Sequence, residues 1–279
     1  MIAAITKATG QAGFSFSFMD TRADGNYDFL PVYIAEHQIT DLVICGGDGS
    51  VSQVCSFLSG IDINVGIVPL GSGNGLALAA GIPASLKGAL KIIFAGHNAY
   101  IDGFTINNKF SCMMCGIGND AQVAHDFAKE KKRGLNTYLR LSALNYFKSK
   151  CYPFTINANG ESFSSDAYFI VVANSNQFGN HVTIAPQASL SDGLLDIVVV
   201  RKMNKLVLPF MLLNQLSGNN RVVKKLFRNN KKILYFQSAE LNVINKGNAP
   251  IHIDGEPEPA AENITIKIKT NAFRLLQPS

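Results

Sequence analysis

The chain reads Asp41-Leu42-Val43-Ile44-Cys45 and then Gly46-Gly47-Asp48-Gly49-Ser50, a glycine-rich turn directly after an apolar run. A second such pair follows, because Val65-Gly66-Ile67-Val68-Pro69-Leu70 leads into Gly71-Ser72-Gly73-Asn74-Gly75. Short apolar runs rich in β-branched residues are typical of buried parallel strands, and each turn opens into a stretch of helical character. Two helix N-termini and two sets of open backbone N–H groups then face one crevice, which suits polyanionic phosphate. The sequence thus predicts a nucleotide site built from both turns.

Length and composition favour a globular protein of two domains. The chain has 279 residues, 47% of them hydrophobic and 16% charged, which is enough for a large core. It contains no run of 18 apolar residues, and its N-terminus lacks the basic and apolar regions of a secretory signal. The five cysteines, an odd number, suggest reduced thiols. We therefore expect a soluble, cytoplasmic protein.

The segment Cys112-Met113-Met114-Cys115 brings two thiols together in sequence. A zinc half-site would need a second Cys or His pair at useful spacing. A redox pair would need a helix start, whereas this segment lies inside an apolar run. Buried strand thiols are therefore the favoured interpretation.

The pattern of the chain changes near residue 98. Before it, apolar runs alternate with helical spacing, which predicts a parallel sheet covered by helices on both faces. After it, alternating apolar residues and the pair Asn159-Gly160 predict antiparallel strands and a hairpin. The predicted strands are Phe14–Phe18, Leu42–Cys45, Val65–Val68, Tyr152–Ala158, Tyr168–Ala173, Leu194–Val200, Ile233–Phe236, Leu241–Ile244, Ile251–Ile253 and Ile264–Ile268.

The sequence thus predicts two domains with the active cleft between them. An α/β nucleotide-binding domain spans residues 1–98 and takes back the C-terminal residues 268–279. An antiparallel β-sandwich spans residues 99–267 and forms the substrate domain. Two helical insertions interrupt this sandwich, one from Asp120 to about Lys148 and one from Asn204 to about Leu216.

Five short motifs follow one another along the chain. They are Gly46–Ser50, Gly71–Asn74, Gly116–Ala121, Asp192–Asp196 and the turn Asp254-Gly255-Glu256. In this order they resemble the GGDG[T/S], GSGN, G-x-G-x-D-A, DG-x-L-D and DGE segments of the diacylglycerol kinase catalytic domain family. That family includes bacterial lipid kinases, sphingosine kinases and ceramide kinases. The resemblance covers nearly the whole chain, and it implies an α/β domain related to phosphofructokinases and NAD kinases, followed by a β-sandwich.

The resemblance implies that both glycine-rich turns bind the phosphates of ATP. Glycines leave the backbone open to phosphate, and a tight βα turn without ligand is the alternative. Asp48 would hold Mg²⁺ through water or cap a helix, and Thr21 would bind nucleotide or bond locally at a strand end. The implied ATP-binding residues are Thr21, Gly46, Gly47, Asp48, Gly49, Ser50, Val51, Ser52, Gly71, Ser72, Gly73 and Asn74.

Glu256 and Asp120 are the candidate catalytic residues. Phosphoryl transfer to an alcohol needs a carboxylate that accepts the hydroxyl proton, and the resemblance gives this role to Glu256. The alternative is a hairpin turn at Asp254-Gly255 with a merely solvated Glu256. Asp120 would orient the substrate head group or act through water and Mg²⁺, and a helix cap is its alternative.

The resemblance also implies a second cation site, away from the phosphates. Asp192 would bind the cation together with the main-chain carbonyls of Ser189 and Leu194. Oxygen ligands of this kind suit Mg²⁺ or Ca²⁺. The alternative is a plain Asp-Gly turn between strands.

The chain departs from the family pattern at three places. The family begins with a strand and an N-P-x-S-G loop, whereas residues 1–12 here read as its first helix. Gln53 stands where the family has Glu, and Gly75 stands where diacylglycerol kinases have Asp, which is closer to sphingosine kinases. We expect a start assigned too late rather than a lost strand, because the carboxylates of the site are all in place.

The charge pattern suits a lipid substrate at a membrane. The net charge is +5, and basic residues cluster at Lys129–Arg133 and from Arg221 to Lys232, where apolar residues interleave. Such a stretch rests on an anionic membrane surface or packs as a solvated helix face. No recognition motif supports nucleic-acid binding. The sequence does not decide between a monomer and a homodimer.

The sequence therefore predicts an ATP- and Mg²⁺-dependent kinase that phosphorylates a primary hydroxyl of a membrane lipid. Diacylglycerol is the first choice of acceptor, and a sphingoid base or ceramide-type lipid is the second. The alternatives are a soluble-substrate kinase of the NAD-kinase superfamily and a nucleotide- or lipid-binding relic without turnover. We expect peripheral association with the membrane during turnover.

Overall fold

The structure is a computed structural model that describes residues 1–58, 60–130, 134–177, 185–203 and 232–279. The helices in these ranges are α1 (Ile2–Gln11), α2 (Leu30–Glu36), α3 (Asp48–Ser56), α4 (Gly75–Ala79), α5 (Leu86–Ala95), α6 (Asn119–Ala128) and α7 (Leu135–Lys148). The strands are β1 (Asp41–Gly46), β2 (Asn64–Pro69), β3 (Asn98–Ile106), β4 (Lys109–Ser111), β5 (Met114–Gly118), β6 (Tyr152–Ala158), β7 (Glu161–Ala173), β8 (Leu195–Arg201), β9 (Ile233–Ser238), β10 (Glu240–Ile244), β11 (Ile251–Ile253), β12 (Glu256–Glu258) and β13 (Asn263–Leu276). None of these helices has the length and apolar character that crossing a membrane requires. The helical insertion predicted from Asn204 to Leu216 lies outside the described residues.

The N-terminal part contains the two strands that carry the glycine-rich turns. β1 pairs with β2 in parallel, with Asp41 opposite Asn64 and Gly46 opposite Pro69. A helix follows each strand, α3 after β1 and α4 after β2. The strands bury side chains such as Ile67 in a core that they share with these helices. The predicted βα alternation is confirmed, and it brings the carboxyl ends of both strands to one edge.

The larger part of the sheet is antiparallel. The β6–β7 hairpin turns at Asn159-Gly160, where φ is 52° and 77°, and a two-residue type I′ turn requires positive φ at both positions. One apolar core collects residues from β3, β5, β6, β7, β8, β10, β11 and β13, including the fully buried Ile117, Ile156 and Ile266. Strands on opposite sides of this core bury their inward faces against each other, as in a β-sandwich. The predicted sandwich is confirmed.

The long strand β13 joins the two parts of the sheet. Its first half pairs antiparallel with β10 and β3. After a register shift between Lys269 and Phe273, its end pairs in parallel with β2, with Leu275 opposite Val65. The sheet therefore runs without interruption from the α/β part into the sandwich, and the predicted boundary at residue 98 stays a prediction.

The strand predicted at Phe14–Phe18 is wrong. The segment pairs with no described strand, and its three phenylalanines are 52%, 44% and 52% exposed. Phe14 stacks on Phe94, and Phe16 packs edge-on against Phe18. Alternation of apolar residues predicts a strand only where a neighbour supplies backbone hydrogen bonds. Here the aromatic rings contact other rings instead.

The thiols of Cys112 and Cys115 are fully buried, and Cys115 lies within β5. Burial raises the pKa of both thiols well above their ordinary value of 9.0. Such thiols are unreactive, because the thiolate is the nucleophile and the metal ligand. The prediction of buried structural thiols is confirmed.

Candidate active site

The two glycine-rich turns touch each other through their backbones. A Cβ atom added to Gly47 would lie 2.8 Å from the Cα atom of Gly71. A Cβ atom added to Gly71 would lie 2.6 Å from the Cα atom of Gly47. Only glycine allows two backbone segments to approach so closely. The turns, and the helix starts that follow them at Asp48 and Gly75, therefore share one edge of the sheet.

Two side chains fix the shape of the second turn. Asn74 has a positive φ of 52°, accepts a hydrogen bond from the Gly71 backbone N–H at 2.8 Å and donates one to the Gly71 carbonyl at 2.8 Å. Asp48 accepts a hydrogen bond from the Leu76 backbone N–H at 3.4 Å. The Asp48 carboxylate thus caps α4 across the crevice rather than its own helix, which has Gly47 as its N-cap. Burial raises the pKa of Asp48, although the N–H groups at the start of α4 oppose this shift.

Asp254 connects the α/β part to the sandwich. Its carboxylate accepts hydrogen bonds from Ser52 Oγ at 2.5 Å, Ser111 Oγ at 2.7 Å and the Met114 backbone N–H at 2.9 Å. Burial raises the pKa of Asp254, and the three donors act in the opposite direction. With φ of 48° at Asp254 and 84° at Gly255, the turn has the positive φ values of a type I′ hairpin between β11 and β12.

This hairpin places Glu256 beside the first glycine-rich turn. Glu256 is the first residue of β12, and its side chain is exposed to solvent. A Cβ atom added to Gly49 would lie 3.7 Å from Glu256 Oε1, which is an ordinary contact distance. The hairpin alternative for Asp254-Gly255 is therefore correct for those two residues, and the same turn brings the Glu256 carboxylate to the first glycine-rich turn.

Asp120 lies in the first turn of α6, directly after β5. Its carboxylate is 11% exposed, and its Oδ2 atom lies 2.8 Å from Nε2 of His252. The opposite ring nitrogen, Nδ1 of His252, accepts a hydrogen bond from the Gly255 backbone N–H at 3.2 Å. Sequence reasoning missed His252. Asp120 lies 132 positions away in the chain, and the hydrogen bond with Gly255 belongs to no motif that a local pattern could reveal.

One cavity of about 470 Å³ collects most of the predicted residues. They are Gly47, Asp48, Gly49, Ser50, Gly71, Ser72, Gly73, Asp120 and Glu256. Other candidates do not line it. Gly46 ends β1, Val51 is buried in the core, Ser52 bonds Asp254, Asn74 supports the second turn, and Thr21 is exposed in a segment without regular secondary structure.

The cavity lining contains a polar set and an apolar set of groups, which are called here its polar side and its apolar side. The polar side carries the carboxyl groups of Asp48, Asp120, Asp254 and Glu256, and no Lys or Arg occurs among the described lining residues. The apolar side, which the sequence did not predict, is formed by Met113 and Met114 together with side chains of α6 and α7. These side chains are Ala124, Phe127, Ala128 and Tyr138, and Phe127 packs edge-on against Tyr138 with ring centroids 6.0 Å apart.

The predicted second cation site lies away from this cavity. Asp192 Oδ1 accepts a hydrogen bond from the Leu194 backbone N–H at 3.1 Å, and Ser189 Oγ accepts one from the Ser191 N–H at 3.4 Å. The Gly193 N–H donates to the buried carboxylate of Asp102 at 2.8 Å. These contacts are those of an Asx turn between strands. No three His, Cys, Asp or Glu side chains in the described ranges are grouped for a metal ion.

Comparison with known proteins identifies two family patterns in the chain. Residues 1–106 match the family described as "Diacylglycerol kinase catalytic domain". Residues 114–277 match the family described as "YegS C-terminal NAD kinase beta sandwich-like domain". Together the two patterns extend over both parts of the fold.

The descriptions of individual relatives agree with these family patterns. The chain is 24% identical over 257 residues to the Shewanella frigidimarina protein named "Probable lipid kinase YegS-like", covering 90% of this chain and 80% of that protein. It is 22% identical over 250 residues to a Staphylococcus epidermidis "Diacylglycerol kinase", covering 88% of this chain and 77% of that protein. A crystal structure of a diacylglycerol kinase from Bacillus anthracis has a TM-score of 0.76 at 17% identity and covers 99% of this chain and 91% of that one. At 17% identity, the similarity to this crystal structure establishes the fold alone.

The fold, the cavity and these comparisons define an ATP-using kinase. The chain belongs to the family described as "YegS C-terminal NAD kinase beta sandwich-like domain", whose pattern alone matches more than half of its length, and its N-terminal part matches the diacylglycerol kinase catalytic domain. It is an enzyme of the lipid-kinase class.

Proposed function

We propose that this enzyme transfers the γ-phosphoryl group of Mg·ATP to a primary hydroxyl of a membrane lipid, with diacylglycerol as the preferred acceptor. One observation carries this proposal. A single cavity joins the glycine-rich turns, the carboxylates and an apolar wall. Such a cavity provides a place for phosphate, a place for proton transfer and a place for hydrocarbon.

The ATP phosphates are proposed to lie against the backbone N–H groups of the two turns. Gly47, Gly49, Gly71 and Gly73 line the cavity and leave these groups unshielded. Ser50 and Ser72 line it too and offer hydroxyl groups. The family resemblance also implies ATP contacts for Thr21, Gly46, Asp48, Val51, Ser52 and Asn74. Of these, Ser52 and Asn74 support the loops through hydrogen bonds.

We infer that a divalent cation, Mg²⁺, accompanies ATP. A triphosphate brought beside four carboxyl groups is repelled unless positive charge compensates, and the described lining supplies no Lys or Arg. Asp48 and Asp120 would hold the ion with phosphate oxygens and water, since Mg²⁺ prefers oxygen ligands and keeps several waters. When bound, the ion neutralises the charge on the transferring phosphoryl group. The oxygen-rich donor set therefore fits the ion.

Glu256 is proposed as the general base. The acceptor hydroxyl oxygen forms a bond to the γ-phosphorus, while the bond from that phosphorus to the β–γ bridging oxygen breaks and its electron pair leaves with ADP. The hydroxyl proton passes to the Glu256 carboxylate, which lies beside Gly49 and is free of any described hydrogen bond. Asp120, which also lines the cavity, is proposed to orient the acceptor head group.

The apolar wall favours a lipid over a soluble acceptor. Hydrocarbon is stabilised where apolar side chains replace water, at about 25 cal/mol per Å² of apolar surface buried. Met113, Met114, Ala124 and Phe127 offer such surface next to the carboxylates. A soluble polyol or nucleotide acceptor would instead call for polar groups on this side. A sphingoid base or ceramide-type lipid remains the second candidate acceptor.

Two further features belong to the proposal. The turn at Asp192 is proposed to bind Mg²⁺ or Ca²⁺ together with the carbonyls of Ser189 and Leu194. Peripheral contact with an anionic membrane is proposed because the acceptor resides there and the net charge is +5. Most of the second basic cluster, residues 221–231, lies outside the described residues. Residues 131–133 of the first basic cluster lie outside them too.

The acceptor class can be tested with purified enzyme, Mg·[γ-³²P]ATP and mixed micelles that contain diacylglycerol, sphingosine or ceramide. Glycerol and NAD serve as soluble acceptors in the same experiment. We expect labelled phospholipid from diacylglycerol and no label in the soluble acceptors. Labelled NAD or glycerol phosphate without lipid product would contradict the proposal.

Ala128→Phe probes the apolar wall, because Ala128 lines the cavity at the end of α6. This variant should raise KM for the lipid by tenfold or more, about 1.4 kcal/mol, and leave KM for ATP unchanged. Ala35→Phe is the matched control, since Ala35 is exposed on α2. Equal lipid kinetics in both variants would remove the wall from the acceptor site.

A further inference from the structure

We propose that His252 is a positioning residue that orients both carboxylates of the transfer step, Asp120 directly and Glu256 through the β11–β12 turn. This inference rests on the proposed function. It adds a residue that none of the five sequence motifs contains, since the DGE turn begins two positions later.

The two ring nitrogens of His252 contact two different elements. Nε2 lies 2.8 Å from Asp120 Oδ2 on α6, and Nδ1 accepts a hydrogen bond from the Gly255 N–H at 3.2 Å. Because Nδ1 acts as acceptor, the ring proton is assigned to Nε2, which donates to Asp120. His252 is 2% exposed, so water does not compete for either bond. One imidazole therefore bridges α6 and the hairpin that carries Glu256.

The neighbouring strand leaves space for this bridge. Gly116 on β5 stands opposite His252 in the antiparallel register. A Cβ atom at Gly116 would fall inside the van der Waals radii of both Asp120 Oδ2 and His252 Nε2. The backbone of Gly116 has no positive φ that would call for glycine. The absence of a side chain at this position is thus explained by the Asp120–His252 pair alone.

The bridge has a consequence for each carboxylate. Asp120 has its Oδ2 atom engaged by His252, which restricts rotation of the carboxylate. Gly255 is held by His252, and Glu256 follows it directly in the chain. The Glu256 backbone pairs with Ile253 across the turn, and its carboxylate accepts no described hydrogen bond that would otherwise fix the side chain. A misplacement of about 1 Å of such groups costs about 10²-fold in rate, so their common support matters for turnover.

A buried histidine can also serve packing alone, and two conservative variants distinguish these roles. In His252→Gln the side-chain amide reaches the position of Nε2 and can donate to Asp120. In His252→Asn the shorter amide reaches the position of Nδ1 and can accept from Gly255, which leaves Asp120 without its donor. Asparagine leaves more of the imidazole volume empty than glutamine does, so the melting temperatures of the two variants are compared as well. His125→Asn is the matched control, because His125 Nε2 bonds the Ile251 carbonyl at 2.8 Å and lines no part of the cavity.

The experiment measures kcat, KM for ATP, KM for diacylglycerol and melting temperature in the full chain. We expect His252→Asn to lower kcat by about 10²-fold with KM for ATP within twofold of the wild type. His252→Gln should recover at least a tenth of the wild-type kcat, and His125→Asn should keep it. His252→Asn combined with Asp120→Asn should be no slower than Asp120→Asn alone, because Asn at position 252 keeps the acceptor for Gly255 and loses only the support of Asp120.

Wild-type kcat in His252→Asn would overturn the inference, as would independent, multiplicative losses in the double variant. If each of His252→Gln, His252→Asn and His125→Asn loses kcat in proportion to its loss of melting temperature, His252 serves packing alone. If His252→Asn does not fold, Gly116→Ala replaces it, since it separates the same pair and should lower kcat without raising KM for ATP. Failure of the proposed function is separate, because then the wild type itself would phosphorylate no lipid.

Discussion

Gly49 and Gly47 allow phosphate binding to be separated from loop packing. A Cβ atom at Gly49 would meet only Glu256 Oε1, at 3.7 Å, and nothing else within 4 Å. Gly49 also lies in the first turn of α3, where glycine costs about 0.5–1 kcal/mol relative to alanine. Gly49→Ala should therefore leave the free energy of unfolding unchanged or raise it by up to about 1 kcal/mol. Its methyl group, however, would lie between the turn proposed to bind phosphate and the proposed general base, Glu256.

Gly47→Ala has the opposite balance. Its Cβ atom would lie 2.8 Å from the Cα atom of Gly71, which is a backbone atom that cannot rotate away. Overpacking of this kind costs about 1–3 kcal/mol. A chain of this size loses about 2–4 °C in melting temperature per kcal/mol, so Tm should fall by about 2–12 °C.

Thermal unfolding and isothermal titration calorimetry with Mg·ATP separate the two effects. Gly49→Ala is expected to keep or raise Tm while ATP affinity falls at least tenfold, which is about 1.4 kcal/mol. Gly47→Ala is expected to lower Tm. Wild-type ATP affinity in Gly49→Ala would refute the assignment of this turn to phosphate. A lower Tm in Gly49→Ala, with Gly47→Ala unaffected, would refute the packing argument.

Three further predictions concern stability and metal. Ser52→Ala removes the hydrogen bond to Asp254 and should cost about 1.5 kcal/mol, seen as a Tm loss of about 3–6 °C, whereas Ser56→Ala, which loses only an exposed bond within its own helix, should not. Burial raises the pKa of Asp196, so the folded chain holds the carboxyl proton more tightly than the unfolded chain. The protonated carboxyl therefore contributes its full stabilisation of the fold below pH 3.8, and this contribution is lost as the pH rises through the raised pKa. Asp196→Asn, which keeps an acceptor for the Tyr235 hydroxyl, should abolish that part of the pH dependence in denaturant melts, and an unchanged pH profile would show that the carboxyl is not its source. Chelation by EDTA should abolish lipid phosphorylation and leave the far-ultraviolet dichroism unchanged, and activity that survives chelation would contradict the cation proposal.

Local pattern was sufficient where structure follows from neighbours in sequence. The pair Asn159-Gly160 predicts its hairpin because few residues tolerate positive φ at two successive positions. The two glycine-rich turns predict their shared edge because parallel strands place their carboxyl ends together. The Phe14–Phe18 segment shows the limit, since alternation does not reveal whether a strand partner exists.

Contacts between distant segments were beyond local pattern. His252 is unremarkable in sequence, and its role depends on β11 lying between β5 and β12 with α6 above it. The capping of α4 by Asp48 likewise spans two turns that are separated along the chain. The apolar wall depends on α6 and α7 lying beside the carboxylates, which no periodicity within either helix indicates. The glycines and carboxylates that line the cavity were thus easier to predict from the sequence than its shape.

The most direct test of the account is the rate of diacylglycerol phosphorylation by Glu256→Gln, measured beside its affinity for Mg·ATP. The matched control is Glu258→Gln, which loses an ion pair with Lys109 on the same short strand and lines no part of the cavity. The account predicts that Glu256→Gln binds ATP like the wild type and phosphorylates lipid about 10²-fold or more slowly, while Glu258→Gln keeps the wild-type rate. A wild-type rate in Glu256→Gln, or an equal loss in both variants, would contradict it.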